Sequence, residues 1–299
     1  MTRLSETLAR VLCIAVLMWS SIALADDQQP SAGEIAWQAA IKVAISGPSD
    51  VPLGDQAVLH VPSAMAYIPK AEAAVLMKAW GNSTNDQFYG LVVPRNSDEY
   101  WVMTIDHTAE GYVKDDEAKS WNSDELLKSL KDGTEEQNKE RMKQGIPALD
   151  IVGWIEPPNY DASSHRLVWS LKAVDHGAAR DAPATVNYNT YALGRDGYFQ
   201  IDLLTSDTTI EREKPIARTV LAGLEYKQGK KYEDFDASTD HMAEYGLAAL
   251  IGGVVAKKLG LLALAGVFIL KFAKIIAVSL AVAGGGLVKF FRRKRGNSE

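Results

Sequence analysis

The sequence predicts an α+β fold with a mostly antiparallel sheet and flanking helices, together with an N-terminal signal helix and a C-terminal transmembrane helix. Short β-rich runs bounded by Gly, Pro, Asn or Asp recur through the middle of the chain. Helical stretches are inserted between these runs without strict alternation, which favours α+β over α/β. Each end of the chain carries an apolar stretch beside basic residues, which indicates a membrane-directed segment.

Residues 1–25 have the pattern of a secretory signal peptide. Arg3 and Arg10 flank the start of an apolar run, and the small residues of Ala23–Ala25 stand directly before acidic residues, so we expect cleavage after Ala25. An uncleaved anchor is the alternative, although the apolar run is short for a membrane span. The only cysteine, Cys13, lies in this segment. The mature protein is therefore expected to hold no disulfide, catalytic thiolate or cysteine-ligated zinc.

The first half of the mature chain is predicted to combine a leading helix with a β-rich region. Residues 26–50 form a helical or linker segment, with helical spacing from Trp37 to Ile45. The domain itself is predicted to span residues 51–238. Its first elements are strands at Gln56–Val61, Tyr89–Pro94 and Glu99–Ile105 and a helix at Ala71–Trp80.

The second half of the domain is predicted to contain two capped helices, four strands and a last helix. Asn122 and Thr134 resemble helix caps, and Gly133 and Gly145 resemble helix ends. Pro215 suits the first turn of a helix. The predicted helices are Asp124–Leu130, Glu135–Gln144 and Pro215–Leu224; the strands are Asp150–Glu156, Arg166–Val174, Ala184–Leu193 and Tyr198–Leu204, the last two joined by a hairpin turn at residues 194–197.

The C-terminal region is predicted to be a juxtamembrane helix (239–258), a transmembrane segment (259–291) and a basic cytoplasmic tail (292–299). Apolar residues and interrupting lysines bring the free energy of insertion close to zero. One helix would gather lysines on one side and small residues in a ridge, which favours a span; a basic helix lying on the membrane surface is the alternative. The residues expected to contact membrane are Lys257, Lys258, Lys271, Lys274, Ala273, Ala277, Ala281, Gly285, Arg292 and Arg293.

The charge is distributed unevenly along the chain. The net charge of −6 combines +1 on residues 1–25, +8 on residues 257–299 and −15 on the segment between them. A domain this acidic repels phosphate backbones, so nucleic acid is excluded as its partner. We expect the protein in a bacterial inner membrane as a single-pass protein, with the domain in the periplasm and the C-terminus in the cytoplasm.

Several sequence runs resemble a bacterial family known as domain of unknown function 2167, whose members are described as membrane-anchored. The family has no established activity, so the resemblance implies topology and carries over no catalytic residue. The runs extend from about Val51 to Gly260: Val51–Ala57, Gly111–Ala118, Gly133–Asn138, Gly153-Trp154 with Pro158 and Tyr160-Asp161, Asn187-Tyr188 with Leu193–Arg195, Tyr232–Asp236, Thr239-Asp240, Tyr245–Ala248, Ile251–Gly253 and Ala256–Lys258.

No motif in the sequence identifies a catalytic or cofactor site. The five histidines have no pair at metal-site spacing, and the acidic runs lack the pattern of a calcium loop. We therefore expect no cofactor and no metal. The weak candidates for acid or base chemistry are His107, Asp115, Asp116, Asp240 and His241.

Two functions are compatible with these observations. The first is a binding or assembly module of the cell envelope, with membrane lipid and another membrane or periplasmic protein as partners. The alternative is a hydrolase-like envelope enzyme whose acid and histidine residues are dispersed in the sequence. A sensor is less favoured, because few residues follow the predicted span.

Overall fold

The fold is that of a computed structural model, which describes residues 30–96, 98–143, 147–179 and 181–251. The predicted signal peptide, transmembrane segment and basic tail lie outside these ranges. The same is true of every residue expected to contact membrane: Lys257, Lys258, Lys271, Lys274, Ala273, Ala277, Ala281, Gly285, Arg292 and Arg293. None of the α-helices within the described ranges has the length and apolar content that crossing a bilayer requires.

Eight strands form a large, wholly antiparallel sheet, which confirms the α+β prediction. The strands predicted from β-rich runs are all present, and the hairpin turn at residues 194–197 is confirmed. In sheet order the strands are β1 (Ile45–Ser46), β4 (Met65–Pro69), β5 (Phe88–Pro94), β6 (Val102–Thr108), β10 (Tyr198–Ser206), β9 (Thr185–Leu193), β8 (Arg166–Asp175) and β7 (Leu149–Asp161).

A small antiparallel sheet and four α-helices complete the described fold. The small sheet has the order β11 (Leu224–Tyr226), β3 (Ala57–Val61) and β2 (Ser49–Leu53). The helices of residues 30–251 are α1 (Ala32–Val43), α2 (Lys70–Ala79), α3 (Ser123–Lys143) and α4 (Ile210–Ala222), and 3-10 helices lie at Asp116–Ser120, Tyr232–Asp234 and Leu247–Ile251.

One face of the large sheet, which we call the closed face, is covered by the small sheet and α4. Along β10, the alternate residues Phe199, Ile201 and Leu203 point to this face and are fully buried. They belong to one apolar cluster with residues of β2, β3 and α4, so this face has a continuous hydrophobic core.

The opposite face, which we call the divided face, is apolar at its two ends and polar between them. At one end β4 and β5 share an apolar cluster with α1 and α2. At the other end β7 and β8 share a cluster with α3 and the last 3-10 helix. Between them β6, β9 and β10 carry buried polar side chains that we call the polar strip: Thr104, Asp106, Asn189, Tyr191, Gln200 and Asp202.

The prediction of two helices between residues 124 and 144 is wrong, because α3 runs through Gly133 without a break. Leu126, Leu130 and Thr134 are four residues apart and are buried against the sheet. Asn138 extends this face by exchanging hydrogen bonds with the backbone of Leu149 at 2.7 and 2.9 Å. The burial of this face outweighs the roughly 1 kcal/mol that a helical glycine costs. At the start of α3, the predicted cap is confirmed, since Asn122 Oδ1 accepts the amide of Asp124 at 2.9 Å.

The predicted start of the last helix at Pro215 is also wrong, since α4 begins five residues earlier. Glu213, in the first turns, is only 1% exposed. Its carboxylate accepts a hydrogen bond from the hydroxyl of Thr205 on β10 and pairs with Arg212 at 2.9 Å. These contacts hold the polar start of the helix against the sheet, which the sequence pattern alone did not indicate.

Residues 232–251, which we call the connector, lie against the loop that follows β6. The amide of Tyr112 donates to the carbonyl of His241 at 2.9 Å, and the amide of Ala243 donates back to Tyr112 at 2.9 Å. The predicted helix from Thr239 is therefore wrong over residues 239–246, because these backbone groups pair with the loop instead. Gly111 allows the close approach: its φ is +96°, and a Cβ there would lie 2.7 Å from the carbonyl oxygen of His241.

Candidate functional site

The candidate site lies where the connector meets the tip of the β7–β8 hairpin. Four rings are stacked there in a continuous series that we call the aromatic column: Phe235, Tyr112, Tyr232 and His165. Successive ring centroids are 3.9, 4.3 and 4.1 Å apart. Since the four rings come from the loop after β6, the hairpin tip and the connector, the column holds three separate chain segments together.

His165 occupies the hairpin turn in an unusual backbone conformation. Its φ of 52° is the only positive value among the non-glycine residues of the described ranges. Such a conformation costs free energy for a residue with a side chain, and it persists where surrounding contacts hold it. The stack on Tyr232 and a hydrogen bond to Tyr160 supply those contacts.

A tyrosine connects this histidine to an aspartate. The hydroxyl of Tyr160 donates to Asp115 Oδ2 at 2.7 Å and lies 3.1 Å from His165 Nδ1. A hydroxyl has one proton, so when Tyr160 donates its proton in the hydrogen bond to Asp115, its oxygen accepts a hydrogen bond from the Nδ1–H of His165. The Nε2 atom of a neutral His165 is then its proton acceptor. Burial, followed by the hydrogen bond to Asp115, raises the pKa of Tyr160, so this hydroxyl stays protonated at neutral pH.

Burial also raises the pKa of Tyr232, the central ring of the column. Its hydroxyl donates to the carbonyl of Val113 at 2.9 Å. The side chains of Asp115 and His165 are each 25% exposed, so the constellation is reachable from solvent at one side. Chemically, it offers one carboxylate, one neutral phenol and one imidazole within hydrogen-bonding range.

An ion pair fixes the middle of the connector. Arg195, in the β9–β10 turn, binds both carboxylate oxygens of Asp240, at 2.7 and 2.8 Å. This bidentate contact lowers the pKa of Asp240, and a hydrogen bond from the backbone of Asp236 lowers it further. The carboxylate of Asp240 is therefore committed to holding the connector, and it is not a free acid or base.

The structure does not bring the five weak candidates together as one acid–base site. Of the five, only Asp115 shares a hydrogen-bonded contact with a histidine, through Tyr160. That histidine is His165, which was not among the candidates. Asp116 is exposed at the start of a 3-10 helix, Asp240 pairs with Arg195, and His241 is exposed and contacts the loop through its carbonyl.

His107 lies elsewhere, on the closed face. Its ring centroid is 4.6 Å from that of Phe199 and 6.3 Å from that of Tyr89. Burial lowers the pKa of His107, so the ring is neutral in the fold. Within the described residues, no group of three or more His, Cys, Asp or Glu side chains is arranged to hold a metal ion.

Sequence reasoning missed Tyr160, His165, Tyr232 and Arg195 as members of one site. Apart from Tyr160 and His165, these residues are far from one another in the sequence, and the backbone conformation of His165 leaves no local pattern. One signal was available: runs that carry the family resemblance contribute Tyr112 and Asp115, Tyr160, Arg195, Tyr232 and Phe235, and Asp240. Those separate runs meet at the connector.

Comparisons with known proteins identify a family and a weak structural likeness. A model of the family described as "Protein of unknown function (DUF2167)" matches residues 45–283. No curated protein shows significant similarity to the chain. Among solved structures, the solution structure of cyanobacterial PsbP (CyanoP) from Synechocystis sp. PCC 6803 is similar at 9% sequence identity with a TM-score of 0.33, over 58% of this chain and 88% of that chain.

Proposed function

The chain belongs to the DUF2167 family of proteins of unknown function, and on that premise we propose that it is a membrane-anchored periplasmic module that binds and assembles partners in the cell envelope. The proposal has two parts. The segment 259–291 anchors the chain in the inner membrane. The α+β domain is held in a fixed orientation beside it, where it engages another membrane or periplasmic protein.

The docked connector is the observation that supports this proposal. A flexible, Gly- or Ser-rich linker would let a tethered domain take many orientations relative to its anchor. Here residues 232–251 are fixed by the aromatic column, the Arg195–Asp240 pair and three backbone hydrogen bonds to residues 112–114. A domain fixed in this way presents one defined surface, as an assembly module requires.

The end of the connector supports the same reading. The hydroxyl of Tyr245 donates to Glu110 at 2.5 Å, and the amide of Ala248 donates to Glu117 at 3.1 Å. Leu247 and Ile251 are fully buried. The described chain is thus packed on the domain as far as Ile251, and residues 252–258 separate it in the sequence from the predicted transmembrane segment.

Topology is the first test, and single cysteines can report it in the full chain. In a Cys13→Ala background we place one cysteine at Lys139, an exposed position on α3, or at Arg295. We expect a membrane-impermeant maleimide to label the Lys139→Cys protein in intact spheroplasts and the Arg295→Cys protein only after permeabilisation. Labelling of both or of neither before permeabilisation would contradict the anchored topology.

Assembly is the second test, through the size of the native complex in mild detergent. Ala277→Leu with Ala281→Leu fills the small-residue ridge, and we expect it to shift the complex to a smaller size. Ser279→Leu with Ala283→Leu adds the same bulk on the opposite side of a helix and serves as the control. A wild-type protein that migrates as a monomer would contradict the assembly proposal. Equal effects of both pairs of substitutions would show that the small-residue ridge is not the contact surface.

The contact among Asp115, Tyr160 and His165 favours a second candidate, a hydrolase-like envelope enzyme that uses His165 Nε2 as a general base. His165→Gln and Asp115→Asn would then abolish complementation of a deletion strain. His176→Gln is a matched control, because His176 also contacts an aspartate, Asp150, at 2.8 Å on an exposed part of the same hairpin. Full complementation by His165→Gln would exclude this enzyme.

A further inference from the structure

A group of polar residues lies at one corner of the closed face, where the β2–β3 turn meets the β9–β10 turn. We call it the polar corner: Asp55, Gln56, His107, Asp196 and Lys230. Gln56 Nε2 donates to Asp55 Oδ1 at 3.1 Å and to Asp196 Oδ2 at 3.3 Å. Lys230 Nζ lies 3.2 Å from Asp55 Oδ2 and 3.6 Å from Asp196 Oδ2. The polar corner therefore joins the small sheet to the turn that precedes β10.

His107 is a buried member of the polar corner. It is only 6% exposed, and its ring packs against that of Phe199. Its Nε2 atom has no hydrogen-bond partner among the described residues. An imidazolium carries an N–H donor on each ring nitrogen, so this largely apolar setting favours the neutral ring.

The charged groups around His107 do not reverse this preference. Burial has the largest effect on the pKa of His107 and lowers it; the carboxylates of Asp196 and Asp55 raise it, and the ammonium group of Lys230 lowers it. Tyr89 also packs against the ring, and burial raises the pKa of its phenol. Carboxyl groups ordinarily titrate near about pH 4 and amines above about pH 10, so a proton taken up here between pH 7 and pH 5 goes to His107.

The β9–β10 turn links the polar corner to the connector. Asp196 is next in the chain to Arg195, whose guanidinium binds Asp240 of the connector. The carbonyl of Asp196 accepts the amide of Gly111 at 3.1 Å, in the loop that pairs with the connector. The carbonyl of Lys230, two residues before the connector, accepts the amide of Arg195 at 3.0 Å. The same turn thus contacts the polar corner on one side and the connector on the other.

We propose that the polar corner is a pH-dependent switch, in which proton uptake by His107 separates the β9–β10 turn from the β2–β3 turn and loosens the connector. A proton binds preferentially to the conformation in which the ring is hydrated, and that conformation is the open corner. Acid therefore shifts the population toward a loosened connector. The switch goes beyond the proposed function, because it needs neither an anchor nor a partner.

A single proton limits the size of the effect. If the pKa of the ring is about 6.5 in the open corner and well below 5 in the closed one, the open-to-closed ratio rises at most about 25-fold between pH 7 and pH 5. We expect an increase of about tenfold, since the two carboxylates partly oppose the effect of burial.

Hydrogen exchange in the full chain, purified in mild detergent, tests the switch. Exchange is followed by mass spectrometry at pH 7 and pH 5 and corrected for the intrinsic pH dependence of amide exchange. In the wild type we expect opening of residues 194–197 and 235–246 to increase about tenfold at pH 5, whereas β8 stays unchanged as an internal reference. His107→Gln removes the titrating group and keeps a polar side chain, so its opening should be the same at both pH values.

Other histidines serve as matched controls. His60 lies on the exposed side of the small sheet, His165 in the aromatic column and His241 in the connector. Each can take up a proton in this pH range, so each is replaced by Gln in turn. These three variants should keep the wild-type response. Loss of the response in His165→Gln, with the response kept in His107→Gln, would assign it to the aromatic column and overturn the switch.

Several other results would also overturn the proposal. They are equal opening of the wild type at both pH values, an equal increase in His107→Gln, an increase at 194–197 without one at 235–246, and an equal increase in β8, which would indicate global unfolding. Thermal unfolding at pH 7 shows whether His107→Gln is folded. If it is not, an NMR titration of the His107 ring in the wild type takes its place: a midpoint below pH 6.5 is expected, and a midpoint at or above it overturns the switch. None of these outcomes depends on whether the tail crosses a membrane.

Discussion

The closed face and the divided face of the large sheet are built on the same strands but are covered in different ways. On β10, Phe199, Ile201 and Leu203 point to the closed face, and Gln200 and Asp202 point to the divided face. The first set is buried in a continuous apolar core. The second set is buried as well, although its members are polar. An apolar face stabilises the fold by itself, whereas a buried polar face gains its stability only from specific partners, and such a face is suited to recognition.

The largest expected effect on stability comes from creating a cavity on the closed face. Phe199→Ala removes a fully buried ring from the apolar cluster. We expect a loss of about 3–5 kcal/mol in the free energy of unfolding, because both the transfer of the ring and the cavity contribute. Urea denaturation followed by tryptophan fluorescence measures it. A loss below 1 kcal/mol would show that the closed face is not the main core.

A smaller effect is expected at the aromatic column. Tyr232→Phe keeps the stacked ring and removes the hydroxyl, which donates to the carbonyl of Val113 and also has a hydrogen bond with Tyr112. We expect a loss of about 1–2 kcal/mol, since the usual net value of one hydrogen bond is about 1 kcal/mol. Tyr232→Ala should in addition release the connector, which limited proteolysis between residues 235 and 246 would detect. If both variants were cleaved at the same rate, stacking would not be what holds the connector.

The closed face is also expected to make stability depend on pH, because a histidine, His107, is buried in it. Burial lowers the pKa of His107 below its ordinary value of 6.5, so the unfolded chain binds more protons than the folded one below that pH. The stability from a neutral His107 is complete above pH 6.5 and is lost as the pH falls from there toward the lowered pKa.

We expect the Tm of the wild type to fall more steeply than that of His107→Leu between pH 7 and pH 5. Differential scanning fluorimetry across this range measures both slopes, and the comparison cancels the groups that the two proteins share. Parallel slopes would show that His107 does not contribute.

The smallest effect is expected on the polar strip. Thr104→Val replaces a buried hydroxyl, which has no hydrogen bond within the described ranges, by a methyl group of the same shape. The free energy of unfolding should change by less than about 1 kcal/mol, since no bond to a described residue is lost. Thermal unfolding of the two proteins under one condition measures the difference. A loss of several kcal/mol would instead show that Thr104 Oγ1 has a strong partner outside those ranges.

Much of the fold was predictable because each β-rich run has period two and is closed by turn residues. The pattern at Tyr198–Leu204 gave both the strand and the hairpin before it. It did not give the depth of burial: alternate polar residues normally indicate a solvated face, yet Gln200 and Asp202 are buried. Two of the three errors in the helices have the same origin, since tertiary contacts of α3 and of Glu213 outweighed the local effects of Gly133 and Pro215.

The candidate site was less predictable than the fold. Asp115 was singled out from an acidic run, but its partners Tyr160 and His165 are 45 and 50 positions away along the chain. A bidentate ion pair such as Arg195–Asp240 likewise leaves no trace in local spacing. Such contacts depend on which loops the sheet brings to one corner, and this information is absent from periodicity.

The burial of Leu247, Leu250 and Ile251 determines where a recombinant form of this protein can be truncated. These side chains share a cluster with Leu130, Trp169 and Tyr198. A recombinant fragment that stops at Asp240 would keep every strand of the described ranges but would expose part of this cluster. The backbone groups of Tyr112 and Lys114 would also lose their hydrogen bonds to residues 241–247. Such a fragment is expected to aggregate through its exposed apolar surface. A fragment that continues through Ile251 keeps the side chains that cover this surface.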